Sequence, residues 1–142
     1  MKVVLKNGQV FIDGKPAKRI HTNGSRQCLV RKGIIVKLND GLRQSSRELR
    51  LWNIIEPKDR KYFVPPISGQ IRGKGWIAQR IIKFKRGRRP NWTYYFVENL
   101  MRKYGIQDLL GDYFLDGDDE KIISANWGIT ESGQPIIFDY GW

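Results

Sequence analysis

Over the first forty residues, hydrophobic and polar positions alternate in short runs, the period expected of half-buried strands. Val3–Leu5 and Val10–Ile12 flank Asn7-Gly8, a pair suited to the positive φ angles of a tight hairpin. Asp13-Gly14 marks a second turn. Arg19-Ile20, Gln27–Val30 and the β-branched run Ile34–Val36 follow, separated by the polar stretch His21–Ser25 and by Lys32-Gly33. Arg19–Leu38 is therefore predicted to form three strands in a meander. The period then changes. Leu49, Trp52 and Ile55 recur at three-residue spacing, which predicts a helix over about 43–55, capped by Ser45 or Asp40, with Arg47, Glu48 and Arg50 as its polar positions. Pro57 and Pro65-Pro66 prevent its continuation. Tyr62–Val64 and Trp76–Phe84 are the next expected strands, and Lys85–Pro90 is an expected loop. Asn91 is the expected N-cap of a helix over Trp92–Tyr104 that Gly105 ends. After an acidic loop, Asp116–Glu120, two short strands should close the chain around a turn at Glu131–Gln134. The chain has no internal repeat, low-complexity segment or linker.

Length and composition narrow the class. The 142 residues suit one domain with a single modest core, and an apolar share of 40% argues against disorder throughout. No apolar run approaches membrane-spanning length, and Lys2 and Lys6 make the N-terminus unlike a secretory signal. One cysteine, Cys28, builds neither an internal disulfide nor a cysteine-based zinc site. It reads as a buried strand residue in a reducing, cytoplasmic compartment. Charge is the unusual property. Residues 1–103 hold 25 Lys/Arg against 6 Asp/Glu, or +19, whereas residues 104–142 hold 1 against 8, or −7. Such a split points to an anionic partner for the front of the chain, or to a solubilising surface that the tail partly neutralises.

The closing stretch, Asn126-Trp127-Gly128-Ile129-Thr130 through Pro135-Ile136-Ile137-Phe138-Asp139-Tyr140-Gly141, resembles the catalytic-loop Asn and the Asp-Phe-Gly motif of protein kinases. More narrowly, it is similar to short kinase-like proteins encoded by bacteriophages, which often read Asp-Tyr-Gly at this point. Asn126 and Asp139 lie thirteen residues apart, an interval typical of that family. Amide and carboxylate oxygens suit a hard cation that also takes phosphate oxygens. The upstream order agrees. Lys37 ends the run Ile34–Val36 as the family's phosphate-binding lysine ends its strand, and Glu48 sits on the next helix, where the family's partner glutamate sits. The resemblance thus implies an α+β fold: a kinase-like N-lobe over about 1–85, with an antiparallel sheet and one helix, then a truncated C-lobe over about 90–142. That second part would hold a helix and the catalytic, metal-binding hairpin. It implies ATP with Mg²⁺, held by Lys37, Glu48 and Gly24 on the nucleotide side and by Asn126 and Asp139 as metal ligands.

The chain departs from the family at several points. It has no Gly-x-Gly-x-x-Gly loop, and only Gly24 stands where that loop is expected. Lys121 occupies the position of the catalytic aspartate, five residues before Asn126. A protonated ammonium has no acceptor with which to orient a substrate hydroxyl. An insertion in this loop would let Asp118 or Asp119 take that role. The sequence closes at Trp142, one residue past the motif, so the segment with which the family docks a peptide is expected to be missing. An active phosphotransferase and a pseudokinase both remain open readings.

Arg72, Lys74, Arg80, Lys83, Lys85, Arg86, Arg88 and Arg89 fall within eighteen residues that hold no acidic side chain, with Trp76, Phe84 and Trp92 interleaved or adjacent. Phosphate neutralisation beside aromatic stacking is the chemistry of sequence-tolerant single-strand binding. An acidic protein is an equal match for the charge, and a solvated loop over buried aromatics accounts for the same residues. Two readings therefore stand beside the kinase-like one: a nucleic-acid-binding module with no nucleotide site, and a small phage inhibitor of an acidic host protein.

Overall fold

A computed structural model of the chain describes residues 2–20, 27–38, 43–71, 75–87, 89–106 and 126–140. Among these the fold is α+β, with two helices and sheets paired almost wholly antiparallel. The chain divides into two compact units, one of Met1–Asn53 with Pro65–Ile81, the other of Ile54–Val64 with Ile82–Trp142.

In the first unit, β1 (Val3–Lys6), β2 (Gln9–Ile12) and β3 (Lys15–Pro16) form a three-stranded sheet. Its turns use Asn7 and Gly8 and then Asp13 and Gly14, all at positive φ, as the sequence predicts. β4 (Lys18–Ile20), β5 (Cys28–Arg31), β6 (Ile34–Leu38), β7 (Pro66–Gln70) and β8 (Trp76–Arg80) form the larger sheet, ordered β4-β5-β6-β8-β7. Val10 and Ile12 from the small sheet pack with Leu29, Ile34, Val36, Trp76 and Ala78 from the large one. Alternation along β6 then decides the site. With Ile34 and Val36 in this core, Ile35 and Lys37 face the other side of the sheet.

Helix α1 (Gln44–Ile54) follows β6, and its buried side is polar. Gln44, Ser45, Ser46 and Glu48 are all buried, whereas Leu49 and Trp52 are only half-buried. Ser45 does not cap the helix as expected. It lies inside the first turn, and its hydroxyl donates to the Lys37 carbonyl at 2.9 Å, fastening α1 to β6. Asp40, the other expected cap, lies outside the described residues. Small side chains permit this closeness, since a Cβ on Gly75 would collide with the Ser46 hydroxyl. The strand β7 was not foreseen from sequence. It opens on Pro66 at a sheet edge, the place where a missing N–H costs no ladder bond.

The second unit holds a 3-10 turn (Arg60–Tyr62), α2 (Asn91–Lys103), β9 (Trp127–Ile129) and β10 (Pro135–Ile137). The expected strand at Tyr62–Val64 is instead this turn, followed by a single bridge from Phe63 to Ile137. The expected strand Trp76–Phe84 stops at Arg80, and Phe84 makes one bridge to Thr130 in the second unit. Pro90, not Asn91, occupies the N-cap position, and the Thr93 hydroxyl donates back to its carbonyl at 2.6 Å. Gly105, at φ +66, ends α2 as the sequence predicts. Gly128 is required by contact, because the Phe84 ring lies where its Cβ would stand.

A polar tie joins the end of α2 to the 3-10 turn. Lys103 Nζ meets Glu56 Oε2 at 3.1 Å and Asp59 Oδ2 at 2.8 Å, and the Tyr104 hydroxyl donates to Asp59. Lys103 therefore holds both carboxyls below their ordinary values of 4.5 and 3.8, and they hold its ammonium above 10.5. Their contribution is present above the unfolded carboxylate range and is lost as pH falls through the lowered folded values; the lysine's share is lost only in strong alkali. Lys103→Met is accordingly expected to flatten the fall in melting temperature below about pH 4. A melting series from pH 2 to 7 checks this, and an unchanged acid limb would refute it.

Candidate functional site

Lys37 and Glu48 meet in the first unit. β6 pairs Lys37 with Cys28 on one side and Ile77 on the other, which places it mid-sheet rather than at an edge. Its Nζ lies 3.5 Å from Glu48 Oε2, and the two side chains are 6% and 0% exposed. The hydrogen bond from Ser45 to the Lys37 carbonyl sets the helix one turn from Glu48, so backbone and side chain hold the pair together. Gln79, also buried, lies on the same face of the sheet, opposite Ile35.

The hairpin of β9 and β10 carries the second pair. Asn126 immediately precedes β9, and its carbonyl accepts from the N–H of Phe138 at 3.0 Å and of Asp139 at 3.2 Å. Those two bonds bring the thirteen-residue interval to adjacent backbone, with both residues half-buried. Tyr140 is buried beside them, its ring edge-on to Phe63 at 5.3 Å and its hydroxyl donating to the Val64 carbonyl at 2.9 Å. The residue after Asp139 is thereby fixed from below. The hairpin thus sets one amide-bearing and one carboxylate-bearing residue on neighbouring backbone, and the described residues hold no group of three or more His, Cys, Asp or Glu side chains placed to share a metal ion. A magnesium ion here would rely on phosphate oxygens for much of its shell, as such ions commonly do. Gly24, Asp118, Asp119, Lys121 and Gly141 lie outside the described residues.

The basic stretch is partly exposed and partly structural. Arg80, Lys83, Lys85 and Arg86 are exposed. Arg89 is not simply a surface charge, for its guanidinium lies 4.3 Å from the centroid of the buried Trp127 ring. Arg72, Lys74 and Arg88 fall outside the described residues. The aromatics expected to interleave with these charges sort differently. Trp76 is core and donates from its indole to Gln70 Oε1 at 3.1 Å. Phe84 packs on Phe138 with centroids 5.2 Å apart. Trp92 is exposed, and so is Tyr95, which the sequence reading passed over. Helical phase carried that signal: burial of Thr93, Tyr94, Val97 and Leu100 leaves 92, 95 and 99 on the opposite face.

No helix among the described residues is long and apolar enough to cross a membrane. Comparison of the chain with protein-family models and with curated proteins gives no match.

Proposed function

We propose that the chain is a small kinase-like protein that binds a magnesium–nucleotide in a cytoplasm, without assigning it a phosphoryl-transfer step. The observation that carries the reading is the buried ion pair of Lys37 and Glu48, 3.5 Å apart. Withdrawing both charges from water costs several kcal/mol per ion, and an apolar pair of equal volume would stabilise the core as well or better. A task for the ammonium accounts for its retention, and holding nucleotide phosphates is the task that the resemblance to kinases implies for it.

On this reading Lys37 holds phosphates and Glu48 keeps its ammonium in one position. Asn126 and Asp139 would hold the magnesium ion, whose charge would neutralise the phosphates. Asp118 and Asp119 stay candidates for catalytic work from sequence alone, so the proposal ends at binding. Both phage-type membership and action on host factors remain part of the proposal rather than of the geometry.

Millimolar Mg·ATP is expected to raise the melting temperature by a few degrees, since ligand at ten times its Kd adds about 1.4 kcal/mol. Asp139→Asn, or omission of magnesium, should remove most of that rise. A shift that persists in both controls would identify polyphosphate adsorbed on basic surface, and it would overturn the proposal, as would no shift at all.

A further inference from the structure

The exposed side of α2 and the loop before it form a surface that the nucleotide reading does not use. Trp92 and Tyr95 are 56% and 59% exposed, and they stand three positions apart, on neighbouring turns of one helix face. Large aromatics seldom remain this open on a structure that offers a core to bury them. Trp92 is also braced. Its ring meets Phe96 edge-on at 6.3 Å, and Phe96 meets Tyr62 at 4.6 Å. A braced indole loses little conformational freedom when a partner stacks on it.

The loop supplies the charge. Phe84 turns inward onto Phe138, so its neighbours Lys83 and Lys85 turn outward together, and Arg86 follows them at the surface. The loop is held at both ends. The Lys85 N–H donates to the Ile129 carbonyl at 2.8 Å, and Arg89 lies over Trp127, whose ring meets Tyr94 of α2 edge-on at 5.2 Å. These contacts tie the loop to the buried side of α2 through Tyr94, and Pro90 joins the loop directly to the helix's first turn, which carries Trp92 on its open side. No acidic residue occurs from Lys83 to Val97. Among the described residues, two carboxylates lie near these charges. Glu131 sits 3.4 Å from Lys83 with both side chains exposed, a pair that phosphate readily displaces, and Glu98 is engaged by Arg102 at 2.6 Å.

We infer that this surface binds single-stranded nucleic acid, with Trp92 and Tyr95 stacking on bases and Lys83, Lys85 and Arg86 meeting phosphates. Charge alone would also suit an acidic protein. Two flat, exposed rings within a dozen residues of the charges along the chain favour bases, because every base offers a π-face and a carboxylate-rich peptide does not. The site shares no residue with Lys37, Glu48, Asn126 and Asp139.

Fluorescence anisotropy of a labelled twenty-nucleotide oligothymidylate, titrated with the full chain, tests the inference. Trp92→Ala and Tyr95→Ala are each expected to weaken binding by roughly 5- to 150-fold at low salt. Replacing Lys83, Lys85 and Arg86 with alanine should lower the slope of log affinity against log salt by about 2. Both aromatic side chains are exposed, so circular dichroism should find these variants folded. Affinity that is insensitive to both aromatic substitutions would overturn the proposal. So would poly-glutamate binding with the same dependence on Trp92, or self-association through Trp92 in sedimentation. The Mg·ATP shift is read on Asp139, so either proposal can fail while the other stands.

Discussion

Lys37→Ala is expected to destabilise the first unit by about 3–5 kcal/mol, because it strips a fully buried carboxylate of the ammonium 3.5 Å away. The double variant Lys37→Met/Glu48→Leu should behave in the opposite way. Removing both charges removes both desolvation costs, so its stability should match or exceed that of the unaltered chain, by as much as about 1–4 kcal/mol where the apolar pair packs well. Function should separate from stability at this point. On the nucleotide-binding proposal, the stable double variant loses the magnesium-dependent thermal shift, whereas a pair serving only the fold predicts that the shift survives. Urea unfolding of the two variants, followed by melting with Mg·ATP, distinguishes these outcomes. A single variant within 1 kcal/mol of the unaltered chain would mean that the pair is not buried as described.

Trp127→Ala carries the second large effect, about 3–5 kcal/mol, concentrated in the second unit. Trp127 is 1% exposed and lies at the start of β9. On one side is the Tyr94 ring of α2, and over its face is the Arg89 guanidinium. Truncation would open a cavity under the hairpin, release the basic loop and leave Tyr94 without its edge-on partner. Hydrogen exchange is the suitable measurement, since it resolves the units. Protection in β9, β10 and α2 should fall while that of β5, β6 and β8 is kept. A uniform loss across both units would show that they unfold as one and would refute the localised expectation. Trp127→Phe, which keeps a ring in place, should recover much of the protection.

Hairpins, the two helices and the C-terminal end of α2 were legible in the chain because their causes are local. Asn7-Gly8, Asp13-Gly14 and Lys32-Gly33 adopt the positive φ angles that such pairs suit, the first two turning β1 into β2 and β2 into β3 and the third turning β5 into β6. Gly105 ends α2 for the same reason. Singling out Asn126 and Asp139 rested on the resemblance to the kinase motif, whereas the backbone bonds from Phe138 and Asp139 to the Asn126 carbonyl follow from the hairpin that closes the chain.

Other features needed the tertiary structure. The apolar spacing of Leu49, Trp52 and Ile55 suggested an apolar buried side for α1; Ile55, just past the helix, is indeed buried, but within α1 the buried residues are Gln44, Ser45, Ser46 and Glu48. No helical period reveals that, because the side facing the sheet is chosen by Lys37 and by the close approach of Gly75, both distant in sequence. The break after Arg80 is similar. Continuous strand propensity runs to Phe84, but Phe84 finds its bridge with Thr130 rather than with the sheet. Trp76 and Trp92 are chemically identical, and packing against Val10 and Ile12 buries the first, while the second faces outward from α2. By itself, then, the sequence determined the early hairpin turns, the meander up to Leu38, both helices and the charge asymmetry, and its resemblance to a family singled out the two residue pairs. Only the tertiary structure decided which charges are buried together and which aromatics are exposed, because burial depends on neighbours brought from afar and local pattern does not encode them.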